Sequence, residues 1–437
     1  MLRQLLLALV SCLACITSGG SAFAQTPAAP VPVPVPVPVT LPVTVATFNM
    51  AWAGTVDDFK RHLEVCSAPT VNWCETRARW APGTTKALPE EAARAAACEA
   101  ATTEAAGGRE ASMKIAPCNA YRDSQPRAPG SPPPDMSALR KPEAYAEKLA
   151  GLRDTVESVI ERDGVRVIAF QEVKSAQAVQ AVLGRFAARY DVCEAQHSGF
   201  QSLAFAWDRS LSSGKGVCAT HSALAILDPP NEPAAFRRVR PGLALQLNVN
   251  GAAVTFMNVH LKASCASATH SNPRFPARLL TDPVEACEVF NRQVPIFEDW
   301  IDAVAAQSPR FVILGDFNRR IDEEQALAIA KDQVRTDGTD PASRNTVGAD
   351  GRVKTKYLWP EIADGSRALF QLPLKSTDAA CKGYTGLDHI VVSGAVYAAL
   401  EKHAPADIGT RKAPVQGRVG QLIESSDHCP QIGRLLL

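Results

Sequence analysis

The segment Phe311 to Ile321 reads FVILGDFNRRI: four apolar residues, then Gly315, Asp316, Phe317, Asn318 and two arginines. A short apolar run that halts at Gly-Asp is a buried strand delivering polar side chains at its end. Alone it would also suit an ordinary turn, because Asp and Asn cap and turn for local reasons. Repetition makes it constraining. Val43 to Asn49 is VTVATFN, Val165 to Glu172 is VRVIAFQE, Ala253 to His260 is AVTFMNVH, Gly386 to Val392 is GLDHIVV, and Ser425 to Pro430 is SSDHCP. Each sets Asn, Glu, His or Asp beside a strand, and strand ends are where α/β proteins keep their chemistry.

Between these strands the apolar spacing turns helical. Glu143 to Arg162 carries Tyr145, Leu149, Leu152, Val156, Val159 and Ile160 on one face, and Ala176 to Tyr190 and Val284 to Gln307 read the same way. Ser202 to Asp208 and Ala223 to Leu227 are expected strands. Leu243 to Val249 and Ala253 to His260 form a hairpin across Asn250-Gly251, a pair suited to a turn with both residues at positive φ. Strands in groups with helices between them predict an α/β fold in which two packed sheets are covered outside by helices.

Residues Met1 to Ala24 read as a secretory leader, with Arg3, an apolar Leu5 to Ile16 and a small-residue site at Ala22-Phe23-Ala24. The apolar part is too short to span a bilayer. Lipoprotein processing at Cys12 is the alternative. An extended Pro-Val spacer fills the rest of residues 25–42. Expected export to the periplasm or beyond makes disulfides of the ten cysteines that remain of 12. Sequence cannot fix their pairing; the expected set is Cys66 with Cys74, Cys98 with Cys118, Cys193 with Cys218, Cys265 with Cys287, and Cys381 with Cys429. The net charge of +1 gives no global pull on polyanions, so nucleic-acid binding would rest on local basic patches.

TFN, FQEV, NVHLK, GDFN, LDHIVVS and SDHCP, in this order, resemble the endonuclease/exonuclease/phosphatase superfamily from about Val43 to the end of the sequence. The resemblance implies a four-layer sandwich of two mainly antiparallel sheets flanked by helices, in one catalytic domain over residues 43–437. It also marks residues 55–142 as an insertion, expected to be partly helical, disulfide-braced and on the rim of the site.

The same resemblance assigns roles. Glu172 and Asp427, with Asn49 close by, fall near an Mg²⁺, Mn²⁺ or Ca²⁺ ion, since hard cations take oxygen ligands. His428 is the expected general base, oriented by Asp388, and His260 the second active-site histidine. Asp316 would orient or activate water, and Asn318 would hydrogen-bond the phosphate. Arg319 and Arg320, which follow GDFN, and Lys262 are the expected substrate contacts; Arg237, Arg238, Arg240, Arg274, Arg278, Lys354 and Lys356 are further basic residues. Where relatives support the histidine at His260 with a glutamate, Gln201 is the match, a weaker partner for an imidazolium. His389 is either a rim residue or a satisfied core histidine.

The expected function is an exported, metal-dependent phosphodiesterase, monomeric, not inserted in a membrane, and acting on DNA or RNA. A sphingomyelinase or phosphomonoesterase would share the chemistry. A binding module with a decayed site is the non-enzymatic alternative.

Overall fold

Alternating and continuous apolar runs in this sequence pair into two sheets in the computed structural model, which describes residues 40–78, 88–124, 136–227, 239–270, 276–329, 346–347, 353–365, 367–381 and 383–437. The expected leader and Cys12, the Pro-Val spacer as far as residue 39, the Pro-rich stretch 125–134, and Arg237, Arg238 and Arg274 lie outside these residues. Among the described residues no helix is long and apolar enough to cross a membrane.

The described chain begins with β1 (Pro42–Ala53) and the helices α1 (Val56–Ser67), α2 (Pro89–Ala106), α3 (Arg109–Met113) and α4 (Met136–Leu139). The long α5 (Pro142–Asp163) leads into β2 (Val165–Val173), and α6 (Ala176–Leu183) into β3 (Tyr190–Glu194), β4 (Ser202–Asp208) and β5 (Val217–His221). β6 (Gly242–Val249) and β7 (Ala252–His260) form the hairpin, and α7 (Glu285–Gln307) feeds β8 (Phe311–Asp316). Next come α8 (Ile321–Ala326), the two short strands β9 (Thr346–Val347) and β10 (Val353–Lys354), and α9 (Trp359–Ile362). β11 (Leu369–Gln371), β12 (Leu374–Thr377) and β13 (Asp388–Ser393) precede α10 (Gly394–His403), β14 (Thr410–Lys412) and β15 (Gln431–Leu436).

Seven strands pair in the order β12-β14-β15-β1-β2-β4-β3 and six in the order β11-β13-β8-β7-β6-β5. Pairing is mainly antiparallel, with β1 and β2, β7 and β8, and β12 and β14 parallel. Each strand's period of two divides its apolar residues between the two faces of its sheet. Val45, Val167 and Phe205 of one sheet meet Leu245, Phe256, Val312 and Ile390 of the other in the central core. Phe48, Ile168 and Phe170 turn outward under Leu152, Val156 and Val159 of α5. Met257, Phe311 and Ile313 turn outward under Phe290, Phe297 and Ile301 of α7. The result is the expected α/β four-layer sandwich.

Several local expectations change. Ala176 to Tyr190 is helical only to Leu183; a 3-10 segment follows and Tyr190 opens β3. Ala223 to Leu227 is no strand: its start is a 3-10 turn, and the Leu224 carbonyl accepts from Gln293 of α7 at 3.1 Å. The strand lies just before it, in β5. Two expected disulfides are also re-paired, as Cys66 with Cys118 and Cys74 with Cys98, while the other three stand as expected. The reason is packing. His62 of α1 holds the Ala116 carbonyl at 3.0 Å, which brings Cys118 over Cys66, and Arg94 of α2 holds the Glu75 carbonyl at 2.7 Å, which brings Cys98 to Cys74.

Candidate active site

Strand direction decides where the six motif tips go. β1 and β2 run parallel with Asn49 opposite Gln171, so Asn49 and Glu172 arrive at one end of the first sheet. β7 and β8 run parallel with His260 opposite Asp316, and antiparallel β13 starts with Asp388, also opposite Asp316. β15 runs antiparallel to β1, with Gln431 opposite Thr47, which sets Ser425 to Pro430 at the same end as Asn49. Four strands thus deliver their polar residues as they finish, and two as they begin or just before.

A bulge aims Glu172. The β1–β2 register shifts between Asn49 and Ala53 and between Gln171 and Val173. Ala51 (φ 46), Trp52 (φ 62) and Glu172 (φ 56) take left-handed backbone there, and Asn318 (φ 50) does so after β8. Such conformations cost non-glycine residues energy and gather where surroundings enforce them. The gain here is specific: the Trp52 N–H donates to Glu172 Oε2 at 3.1 Å.

The side chains form one connected cluster. Asn49 Nδ2 donates to Asp316 Oδ2 at 3.1 Å and to Glu172 Oε1 at 3.4 Å. His260 Nε2 lies 3.6 Å from Asp316 Oδ2 and 3.8 Å from Glu172 Oε1. His428 Nε2 lies 3.7 Å from Asp316 Oδ2, and its Nδ1 meets the two Asp388 oxygens at 3.0 and 3.1 Å. Lys412 Nζ donates to Asp388 Oδ2 at 2.6 Å. Asn318 is tied in through its own N–H, which donates to Asp316 Oδ1 at 2.8 Å, and through Nδ2, which donates to the Leu261 carbonyl.

The electrostatics separate the groups. Burial, reinforced by Asp427, raises the Glu172 carboxyl, against a hydrogen bond from Gln201. Burial, with Asp388 adding to it, also raises Asp316. Burial would raise Asp388 too, but His428 and Lys412 hold it well below the usual carboxylate range. Burial pushes His428 down, yet Asp388 and Asp316 outweigh it and hold its pKa up at about 10. His260 is pushed well down, by burial first and then by Arg240 and His428, and is neutral.

These facts revise some of the expected roles. His428 is oriented by Asp388 through Nδ1, as expected, and turns Nε2 towards Asp316 at 3.7 Å. Asn49 meets the carboxylates as a donor through Nδ2, while its oxygen accepts from the Ala51 N–H at 3.0 Å, so it braces Glu172. Arg319 is fully buried: it pairs with Glu324 at 2.6 Å and donates to the Cys265 and Arg278 carbonyls, so it cannot contact a substrate. Arg320 is half-buried and pairs with Glu323 at 2.9 Å, and Lys262 is half-buried. Gln201 serves Glu172, while His260 Nδ1 is buried with no partner among the described residues. His389 is a core histidine, held by Gln371 at 2.8 Å and by the Arg319 carbonyl at 2.9 Å. Asp427 is paired with Arg122 at 3.1 Å.

Lys412 and Lys148 were not singled out in the sequence. Lys148, on α5, is buried and reaches the Met50 carbonyl at 3.2 Å and the Ser425 carbonyl, tying together the loops that carry Asn49 and His428. Its one signal is a lysine on the apolar face of the Glu143 to Arg162 helix.

No protein-family model matches this sequence, and no curated protein does. Solved structures do. Truncated TDP2 from Caenorhabditis elegans is similar over 67% of this chain and 92% of its own, at 12% identity and TM-score 0.37. An endonuclease/exonuclease/phosphatase family protein from Bacteroides thetaiotaomicron is similar over 68% of this chain and 92% of its own, at 10% identity and TM-score 0.39. A mannosyl-6-phosphatase from the same bacterium is similar over 68% and 94%, at 11% identity and TM-score 0.39.

Proposed function

We propose that this chain is a metal-dependent hydrolase of phosphoric esters, of the endonuclease/exonuclease/phosphatase type, exported and acting on phosphodiester bonds of DNA or RNA. The supporting observation is the single buried cluster in which Glu172, His260, Asp316, Asp388 and His428, from opposed sheets, stand 3.0–3.8 Å from one another in sequence.

The donor set fits a hard divalent cation. Glu172 is a largely buried carboxylate raised by burial and by Asp427, an excess of negative charge that a cation would relieve. Asp316, Asp388 and His428 could also surround an ion. Their charge, however, is already met by the His428 imidazolium and Lys412, which favours Glu172 and Asp427 as the ligands. Bound there, Mg²⁺, Mn²⁺ or Ca²⁺ would neutralise phosphate oxygens.

In this reading Asp316, raised by burial and held at its two oxygens by Asn318 and Asn49, accepts the proton of the attacking water. His428, kept cationic by Asp388, which Lys412 in turn holds, stabilises the charge that builds on the phosphate. Neutral His260 donates a hydrogen bond to a phosphate oxygen. Half-buried Trp52 and exposed Tyr384 near this end support an unstacked nucleotide as the substrate.

An activity panel tests the reading: plasmid DNA, RNA, sphingomyelin and a phosphomonoester, each with Mg²⁺ and with EDTA. Mg²⁺-dependent cleavage of nucleic acid is expected. Turnover of the monoester or sphingomyelin alone would reassign the substrate, and no EDTA-sensitive turnover of any of the four would remove the hydrolase reading.

A further inference from the structure

Arg122 comes from the segment between α3 and α4, outside the six motifs, yet its backbone is planted against the site. Its carbonyl accepts from the Glu424 N–H at 2.9 Å, Ser124 N–H donates to the Leu422 carbonyl at 2.8 Å, and Asp123 bridges to Ile423. That pairing stops just short of Asp427 and His428. The guanidinium then reaches Asp427 Oδ2 at 3.1 Å, with 63% of the arginine side chain still exposed, and meets the Tyr384 side chain. Tyr384 is itself fixed by the site, for its N–H donates to the Asp427 carbonyl at 2.8 Å, its carbonyl accepts from Lys412 at 2.5 Å, and its ring centroid stands 5.4 Å from that of His428.

We propose that Arg122 is a substrate clamp whose release is coupled to metal binding: it pairs with Asp427 and transfers to a substrate phosphate once a cation takes that carboxylate. This rests on the function proposed above. Two cations on one carboxylate repel, so a metal at Asp427 weakens the Arg122 pair, and by reciprocity Arg122 weakens metal binding. The released guanidinium stays beside Tyr384 and His428, at the mouth where the phosphate arrives, and a phosphate offers it the same fork of oxygens that the carboxylate did. Metal binds first, substrate second, and substrate tightens the metal by neutralising Arg122.

The coupling predicts opposite signs for one substitution. Calorimetric titration with Mn²⁺ in the absence of substrate is expected to give about two- to fivefold tighter binding by Arg122→Ala than by the unaltered protein, as an exposed ion pair allows. The same variant is expected to show about tenfold higher KM for bis(p-nitrophenyl) phosphate, the loss of one charged hydrogen bond. Arg122→Lys should keep most of the effect on Mn²⁺ and lose most of the effect on KM. Unchanged or weaker Mn²⁺ binding by Arg122→Ala overturns the clamp, and so does an unchanged KM. Glu172→Gln separates the two readings. If it abolishes Mn²⁺ binding while Arg122→Ala leaves binding unchanged, the metal site stands and the clamp falls; if the unaltered protein binds no Mn²⁺, both fall.

Discussion

Between Asp388 and Asp316 the pKa of His428 is raised to about 10, which ties stability and, under the proposed function, catalysis to pH. With Asp316 as proton acceptor and His428 as cation, kcat/KM against pH is expected to be a bell. Its acid limb lies above the ordinary 3.8 of a carboxyl, because burial raises Asp316, and its alkaline limb follows loss of the His428 proton towards pH 10. In His428→Gln the alkaline limb should vanish along with most of the rate; a profile that only rises towards pH 10 would return the base role to His428. For stability the sign follows from the shifts. His428 is raised from 6.5 to about 10, so its contribution is full below pH 6.5 and is lost as pH climbs through 10; raised Glu172 and Asp316 act in the same sense, above their ordinary values. Asp388 is lowered, so its contribution is present above 3.8 and lost as pH falls. Urea midpoints in EDTA are therefore expected to decline from pH 6.5 to about 8, above which Lys148, lowered to about 8 by burial, acts in the opposite sense and flattens the curve. Lys412→Met strands Asp388 with one partner, and a loss of about 3–5 kcal/mol in urea unfolding is expected. The motif residues were legible because each closes an apolar run. Lys412 and Arg319 were not, since whether a cation points into a site or into the core is fixed by partners such as Asp388 and Glu324, which lie elsewhere in the sequence or on the next helix.

At the level of elements, the loop holding Tyr384 and the strand start after His428 approach so closely that only glycine fits between them. A Cβ on Gly383 would stand 2.6 Å from the Cys429 nitrogen and 2.7 Å from the His428 carbonyl carbon, both backbone atoms that cannot swing away. Gly383→Ala is expected to displace His428 and lower kcat by about a hundredfold, the usual cost of an ångström of misplacement, with circular dichroism unchanged; full activity would show that the loop can yield. The hairpin at Asn250-Gly251 was legible because both residues take positive φ, 52° and 80°, as that dipeptide foretells. β5 was hidden for the opposite reason. It is an edge strand, VCATH, with no fully buried residue, whereas the apolar ALAIL beside it looks like a strand but spends part of its apolar surface under α7. Such a run satisfies burial without a ladder, and its period alone cannot separate the two outcomes.

For the molecule as a whole, three apolar layers and five disulfides divide the work of holding four layers of structure together. Each bridge closes a loop of 22 to 52 residues, worth about 2–4 kcal/mol by loop closure. Reductant is therefore expected to lower Tm further than EDTA does, and a larger shift with EDTA would mean the cation organises the fold. The two-sheet plan was legible because it follows from faces that every strand declares. The pairing of Cys66, Cys74, Cys98 and Cys118 was not, because α1 and α2 meet through contacts such as His62 to Ala116 that spacing does not encode. The Cys381 to Cys429 bridge has its own bearing, since one end adjoins His428 and the other lies three residues before Tyr384. With these two cysteines reduced, no covalent tie would hold the Tyr384 segment against His428. Cys381→Ser is expected to lose far more activity than Cys74→Ser at equal melting loss, which would make oxidation the event that arms the protein.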